Sequence, residues 1–361
     1  MKGLILSGGL GTRLRPITHT SNKHLIPLAN KPMIYYPIET LKNAGITDIG
    51  IIVGHTEEKI REVKDAIGDG SKFGIKITYI EQDAPRGLAH AVKVARGFLV
   101  NDNADKKFIV HLGDNILKGG IKKYVDTFKN GDLDAMILLK DVPNPQRFGV
   151  AEIKDGKIIR LIEKPITSPN NLALVGIYFF NEAIFNEIDK LKPSWRNEYE
   201  ITEAIQGLLD DGSKVDYRII DAEWWKDPGD AEGILEANTL LLDEIISSNK
   251  GKIEEGADIQ GKVSIGDGTI VKKGATIKGP TIIGSNCIIG GNSVIGPYAS
   301  IGDQTVVENA WIERSIVIGE AKIDCETKIT DSVIGRKVNI VPSDKTKSSR
   351  LIVGEHSFIA L

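Results

Sequence analysis

Cysteine is nearly missing from this chain: Cys287 and Cys325 are the only two in 361 residues. Two thiols cannot supply a four-cysteine zinc site or a dense disulfide framework. The expectation is two reduced thiols in a cytoplasmic protein. An excess of one charge is missing as well. Forty-six basic residues against 49 acidic ones leave −3, which argues against nucleic acid or another polyanion as partner. No apolar run approaches the roughly 18 residues that span a bilayer, so no membrane partner is expected. The first apolar stretch, Leu4–Leu6, stops at Ser7-Gly8-Gly9. It fits a strand entering a glycine-rich turn better than a signal peptide. Histidine is sparse. His19, His24, His55, His90 and His111 have no metal-ligand spacing and read as surface or packing residues. Glycine, in contrast, is abundant: 38 residues, against the usual share of about 7%.

At roughly 150 residues per domain, the length corresponds to about two domains. The pattern changes character once. Up to about residue 246, short Ile- and Val-rich runs alternate with amphipathic stretches. Lys2–Leu6, Ile49–Val53, Ile75–Ile80 and Phe108–Leu112 read as strands. Ile34–Asn43, Glu57–Ile67 and Leu88–Phe98 read as helices. This alternation predicts an α/β unit with a parallel sheet and helices on both faces. Ala135–Leu139, Gly149–Ile153, Lys157–Ile162 and Leu172–Phe180 follow with little helix between them. They are expected to extend the sheet into a mixed one and to wall a cleft. Residues 230–246 read as a closing helix.

From there the period is six. Ile253, Ile259, Ile265, Val271, Ile277, Ile283, Ile289, Ile295, Ile301 and Val307 recur at a strict spacing, with Gly266, Gly284, Gly290, Gly296 and Gly302 next to five of them. Beyond Val307 the pattern loosens through Ile318-Gly319 and Ile334-Gly335. Neither a helix nor a paired strand has this period. A three-sided parallel β-solenoid does: each hexad forms one flat side and points its aliphatic residue inward. The domains are therefore read as 1–248 and 249–361.

The chemistry-bearing residues lie in the first part. The opening loop, Leu6-Ser-Gly-Gly-Leu-Gly-Thr-Arg-Leu-Arg-Pro16, has glycines that let backbone N–H groups close on a polyphosphate. It is neither a dinucleotide fingerprint, since Leu14 holds the third glycine position, nor a Walker A loop, since no Gly-Lys-Ser/Thr follows. Asp114 follows an apolar strand, which places its carboxylate at the carboxyl edge of an open α/β sheet, where ligands bind.

Three stretches together, GGLGTRLRP, Lys23-His-Leu-Ile-Pro27 and Lys31-Pro-Met-Ile-Tyr-Tyr-Pro-Ile38, resemble the signature of the sugar-1-phosphate nucleotidylyltransferases. Within that superfamily the chain is similar to the glucose-1-phosphate thymidylyltransferases of the longer form, over nearly its whole length. The resemblance implies a Rossmann-like nucleotidyltransferase domain followed by a left-handed parallel β-helix. It implies an Mg²⁺-dependent reaction in which a sugar-1-phosphate oxygen attacks the α-phosphorus of a nucleoside triphosphate and pyrophosphate leaves. Arg13 and Lys23 would then be the catalytic cations. Gly8, Gly9, Gly11, Thr12 and Arg13 would contact the nucleotide, with Gln82 reading the pyrimidine edge and Gly87 offering backbone contacts. Asn115, Gly149, Glu163, Lys164 and Val175 would take the sugar phosphate, and Asp114 and Asp227 the metal. Asp227 stands in Asp-Pro-Gly229 where the family commonly has Asp-Thr-Gly, so Pro228 removes one N–H donor there. Glu198 and Glu200 are assigned to structure, and Trp224-Trp225 to a packed wall. A UTP-dependent uridylyltransferase is the alternative, because one hydroxyl and one methyl separate the two pyrimidine nucleotides. A second, acyltransferase site in the solenoid or a non-catalytic relative is less favoured: the solenoid has only His356 as a candidate base, and the cations and aspartates are all present. The solenoid is expected to assemble a homo-oligomer.

Overall fold

The structure, a computed structural model, describes residues 1–54, 56–101, 106–220 and 224–341. His55 and His356 lie outside the described residues. The chain divides into two compact units: Met1–Leu10 with Ile34–Asp227, and Gly11–Met33 with Pro228–Leu361. The division does not follow the change of sequence period, because Gly11–Met33 groups with the C-terminal part.

Before the solenoid the strands are β1 (Lys2–Leu6), β2 (Pro27–Leu28), β3 (Lys31–Pro32), β4 (Asp48–Val53), β5 (Lys76–Glu81), β6 (Phe108–Leu112), β7 (Ile116–Leu117), β8 (Ala135–Asp141), β9 (Gly149–Lys154), β10 (Lys157–Glu163), β11 (Leu172–Phe180), β12 (Val215–Ile219) and β13 (Trp225–Lys226). The first unit is built on one mixed, nine-stranded sheet in the order β10-β9-β11-β6-β1-β4-β5, with β8 paired to β11 and β12 to β8. Strands β6, β1, β4 and β5 run parallel, while β11 runs antiparallel to β6, β8 and β9. The parallel strands are apolar runs, and Leu4, Ile5, Ile51, Ile52, Ile109 and Val110 are all fully buried. That is what burial on both faces demands. Helix Glu57–Ile67 contributes Ile60, Val63 and Ile67 as a buried stripe and ends at Gly68, φ 73°. The stretch expected as one helix over Leu88–Phe98 is two, Leu88–Val94 and Arg96–Val100. At the break the Ala95 amide bonds the Val92 carbonyl, three residues back, so the helix tightens and turns. On one side of the sheet Phe108 packs against Phe180 and Phe185, with ring centroids 6.0 and 5.6 Å apart.

In the second unit, helix Ala231–Leu242 leads into a left-handed parallel β-helix of three flat sheets. Ile265, Val271, Ile277, Ile283, Ile289, Ile295, Ile301 and Val307 fill its interior, each 2% exposed or less. Ile253 and Ile259 belong to the same row at the open first coil, where Ile253 is 36% exposed. From Lys252 on, successive coils first pair residues eighteen apart, as in Ile265↔Ile283 and Ile283↔Ile301. Later coils are one or two residues shorter, Ile295↔Ile312 and Ile301↔Val317. This is why the sequence period loosens beyond Val307, and why Val317 rather than Ile318 occupies the interior. Because each coil buries its aliphatics only against its neighbours, one deletion is felt locally. Ile283→Ala is expected to cost about 2–5 kcal/mol, read as a shift of the urea midpoint. A loss under about 0.5 kcal/mol would contradict this packing.

Candidate active site

Parallel pairing sets the geometry of the first unit. Leu6 lies beside Ile52 and Leu112, and Val53 beside Glu81. The loops leaving β1, β5 and β6 therefore emerge at one carboxyl edge, carrying Ser7–Gly9, Gln82–Gly87 and Gly113–Asn115.

Gln82 is 5% exposed, and its Nε2 lies 3.0 Å from His90 Nδ1. The amide is thus oriented from the first turn of the helix that begins at Leu88. A Cβ on Gly8 would stand 2.7 Å from Gln82 Oε1, so the glycine lets the Gln82 amide approach the first loop closely. Gly9 has open space where a Cβ would stand. Gly87 has φ 101°, and its Cβ would fall 2.6 Å from the Tyr199 carbonyl oxygen. A left-handed backbone and a close approach coincide there, so only glycine fits. His90 was read from sequence as packing; burial holds its pKa below the usual histidine value, against the pull of Asp83.

After β6 the turn is locked by polar contacts. Asn115 is 2% exposed. Its Nδ2 donates to Asp114 Oδ1 at 3.1 Å, and its Oδ1 accepts the Trp225 indole N–H at 2.8 Å. The Leu112 carbonyl accepts both the Asn115 amide (3.2 Å) and His111 Nδ1 (2.7 Å). Full burial brings the His111 pKa down to about 4, so this imidazole is neutral above that pH. Strand β13 pairs antiparallel with β7, Trp225↔Leu117 and Lys226↔Ile116. Asp227 directly follows β13, and Asn115 directly precedes β7. Trp225 is buried with its ring 5.2 Å from Phe148, a packed wall as expected. Among the described residues no group of three or more His, Cys, Asp or Glu side chains could hold a metal. The two aspartates expected from sequence to hold a metal, Asp114 and Asp227, are fewer than such a group.

A second cluster lies where β9, β10 and β11 begin or end. Gly149 pairs with Glu163, and a Cβ on Gly149 would stand 2.6 Å from Thr202 Cγ2. Thr202 Oγ1 donates to Glu163 Oε2 at 3.1 Å, and Arg196 Nη1 lies 3.4 Å from Glu163 Oε1. Arg196 also reaches Glu200 and Glu198, each at 3.2 Å. Lys164 has φ 41°, a left-handed conformation rare for a lysine. Its amide bonds the Phe148 carbonyl at 3.1 Å, and its Nζ lies 4.0 Å from Glu163 Oε1. Val175 is buried where the β11–β8 register slips, between Leu174 and Tyr178. Next to it Gly176, φ 74°, lies against Leu112 and Asn115. Burial raises the Tyr178 phenol, and Glu163, Asp227 and Glu200 raise it further, so these carboxylates act on one buried hydroxyl. Thr202, Arg196 and His90 were missed as site residues. Thr202 and Arg196 flank Glu198 and Glu200, which the sequence assigns to structure: Arg196 lies two residues before the first and Thr202 two after the second.

Arg13 and Lys23 belong to the second unit. Gly11, φ 65°, starts a single 3₁₀ turn over Thr12–Leu14, in which Thr12 and Arg13 are exposed. The Arg13 guanidinium lies along Gly229, where a Cβ would stand 2.8 Å from Nη2. Lys23 is 7% exposed and packs its Cβ against Gly11.

The family described as nucleotidyl transferase matches residues 2–244. The chain belongs to that family. It is 46% identical over 364 residues to the low-salt glycan biosynthesis nucleotidyltransferase Agl11 of Haloferax volcanii, covering all of both chains. It is 43% identical over 359 residues to a glucose-1-phosphate thymidylyltransferase of Streptomyces griseus, covering 99% of this chain and 98% of that one. A solved structure provisionally assigned as a glucose-1-phosphate thymidylyltransferase of Bacillus anthracis, in complex with a sucrose, superposes with a TM-score of 0.62 at 40% identity. It covers 69% of this chain and 98% of its own. The chain is a nucleotidyltransferase with a C-terminal β-helix.

Burial, and then the neighbouring Glu200, push the Glu163 carboxyl above the usual glutamate value, while Lys164, Thr202 and Arg196 pull it down. The folded state of this transferase therefore favours the protonated side chain. That preference stabilises the fold below the ordinary glutamate pKa and is lost as pH rises through the raised native value. Glu163→Gln is thus expected to raise the melting temperature at pH 7 and to change it less at pH 4. A lower melting temperature for the variant at pH 7 than at pH 4, relative to the parent, would contradict the assigned direction.

Proposed function

We propose that this chain is a glucose-1-phosphate thymidylyltransferase, transferring dTMP from dTTP to glucose 1-phosphate and releasing pyrophosphate. One observation supports the reading above the others. Three chemically different groups lie toward one carboxyl edge: a buried amide held by His90, the Asp114 carboxylate, and the half-buried Glu163 carboxylate beside a lysine. The names of the full-length relatives point the same way.

Gln82, with its amide held by His90, would present both faces of the amide to the pyrimidine edge. Glu163 would accept sugar hydroxyls from between Thr202 and Arg196, and Lys164 would pair with the sugar phosphate. In the transfer step a sugar-phosphate oxygen forms a bond to the α-phosphorus, and the bond from that phosphorus to the bridging oxygen breaks. Arg13 and Lys23 would offset the charge that develops on pyrophosphate. Asp114 and Asp227 would hold Mg²⁺. Two hard oxygen donors with the remaining positions left to phosphate and water suit that ion, and the locked Asn115 turn fixes one of the two carboxylates. Bound there, Mg²⁺ would supply charge neutralisation between the two anionic substrates.

Residues 1–248 are proposed as the catalytic part and 249–361 as the assembling β-helix of a cytoplasmic homo-oligomer. The support for assembly is an outward row on one solenoid face, Ile270, Ile288 and Val306, aliphatic and half-exposed.

The test is pyrophosphate release with glucose 1-phosphate, Mg²⁺ and each of dTTP, UTP, ATP, GTP and CTP. The expected result is the highest kcat/KM for dTTP. Highest activity with UTP would replace the assigned base, and no release with any sugar 1-phosphate would overturn the reading. Two variants refine it. Asp114→Asn is expected to lower kcat by about 10²–10³, and near-normal turnover at saturating Mg²⁺ would remove Asp114 from the metal site. Lys164→Ala is expected to raise KM for the sugar phosphate by about tenfold; an equal rise for the nucleotide would contradict its role.

A further inference from the structure

The hairpin β2–β3 follows Lys23 and closes on the two-residue turn Ala29-Asn30, with φ of 44° and 57°. Both residues are left-handed. That geometry suits asparagine and penalises alanine. The bond that holds Ala29 comes from helix Ala231–Leu242. Asn238 Oδ1 accepts the Ala29 amide at 2.8 Å and the Ser300 hydroxyl at 2.8 Å. Asn30 Nδ2 donates to the Ile301 carbonyl at 2.7 Å, beside the ladder bond from the Gly284 amide to the same oxygen. Asn238 is 1% exposed. Ser300 faces outward between two interior residues, Ala299 and Ile301, yet it is fully buried, as is its outward row neighbour Ile316. This solenoid face is therefore covered.

The contacts continue toward the cations. The Met33 amide bonds the Ile26 carbonyl at 3.1 Å, and the Ile26 amide bonds the Lys23 carbonyl at 3.2 Å. Asn22 caps the Lys23 turn by accepting the His24 amide at 2.9 Å. Thr18 Oγ1 donates to the Gly11 carbonyl at 2.7 Å, one turn before Arg13.

We propose that the solenoid positions the two phosphate-binding cations of its own unit. Through Asn238 and Asn30, strand Ala299–Ile301 fixes the β2–β3 hairpin, and with it the Gly11–Lys23 segment that carries Arg13 and Lys23. The two asparagines are positioning residues; they touch no substrate. The inference rests on the reading of Arg13 and Lys23 as phosphate-binding cations. It gives the β-helix a task inside each chain, separate from assembly.

The experiment compares full-length variants by the KM of each substrate, using the nucleotide that the substrate panel selects. Asn30→Gly removes the bond to Ile301 and keeps the left-handed turn. Asn238→Ala removes both accepted bonds, whereas Asn238→Asp keeps an acceptor oxygen. Asn30→Gly and Asn238→Ala are expected to raise the nucleotide KM by about tenfold, with the sugar-phosphate KM within about twofold of the parent. Asn238→Asp is expected to recover most of the loss. An unchanged nucleotide KM in Asn30→Gly, or an equal rise for both substrates, would overturn the proposal. Because glycine tolerates this turn, Asn30→Gly decides the question even where Asn238→Ala does not fold. Arg13→Ala separates the two levels. If it leaves the nucleotide KM unchanged, the reading of the cations fails; if it raises that KM while the asparagine variants do not, only the positioning role fails.

Discussion

The structure depends first on the parallel pairing of β1 with β4 and β6. Each parallel neighbour sends its carboxyl end to the same edge, so loops far apart in sequence open side by side. Ser7–Gly9, Gln82–Gly87 and Gly113–Asn115 are neighbours only for that reason. The antiparallel β11 then returns against β6 and brings Gly176 onto Leu112 and Asn115. A slip of one residue in any of these pairings would turn the strand side chains to the other face and shift the loops that carry the candidate residues.

On that edge, the candidate side chains are oriented by neighbouring side chains. Trp225 holds Asn115, His90 holds Gln82, and Thr202 with Arg196 holds Glu163. Buried polar groups of this kind are costly unless satisfied. Lys164 adds backbone strain, φ 41°, directly after the half-buried Glu163. Strain in a non-glycine residue persists where the surroundings over-determine it, and such positions cluster at ligand sites.

Much of the architecture was legible in the sequence. Lys2–Leu6, Phe108–Leu112 and Leu172–Phe180 are apolar runs with clear ends, and the structure has them as β1, β6 and β11. The hexad row located the solenoid interior, because burial there follows directly from the period. Hairpin β2–β3 was not legible, since strands of two residues carry no period. Nor was the grouping of Gly11–Met33 with the C-terminal unit, since contacts such as Asn30 to Ile301 join residues far apart in the chain. The break at Ala95 was hidden because alanine favours helix and gives no local stop signal. In the site, glycines 8, 87 and 149 stood out in sequence, but not what they approach. Thr202 and Glu163 are 39 residues apart, and only the packing of the helix over Ile201–Asp210 against β10 brings them together.

The most direct test of the account is a crystal structure of the full chain with Mg²⁺ and the dTDP-glucose product. The account predicts the thymine edge on Gln82, the glucose hydroxyls on Glu163, and Mg²⁺ on Asp114 and Asp227. A product bound elsewhere, or a metal held by neither aspartate, would contradict it.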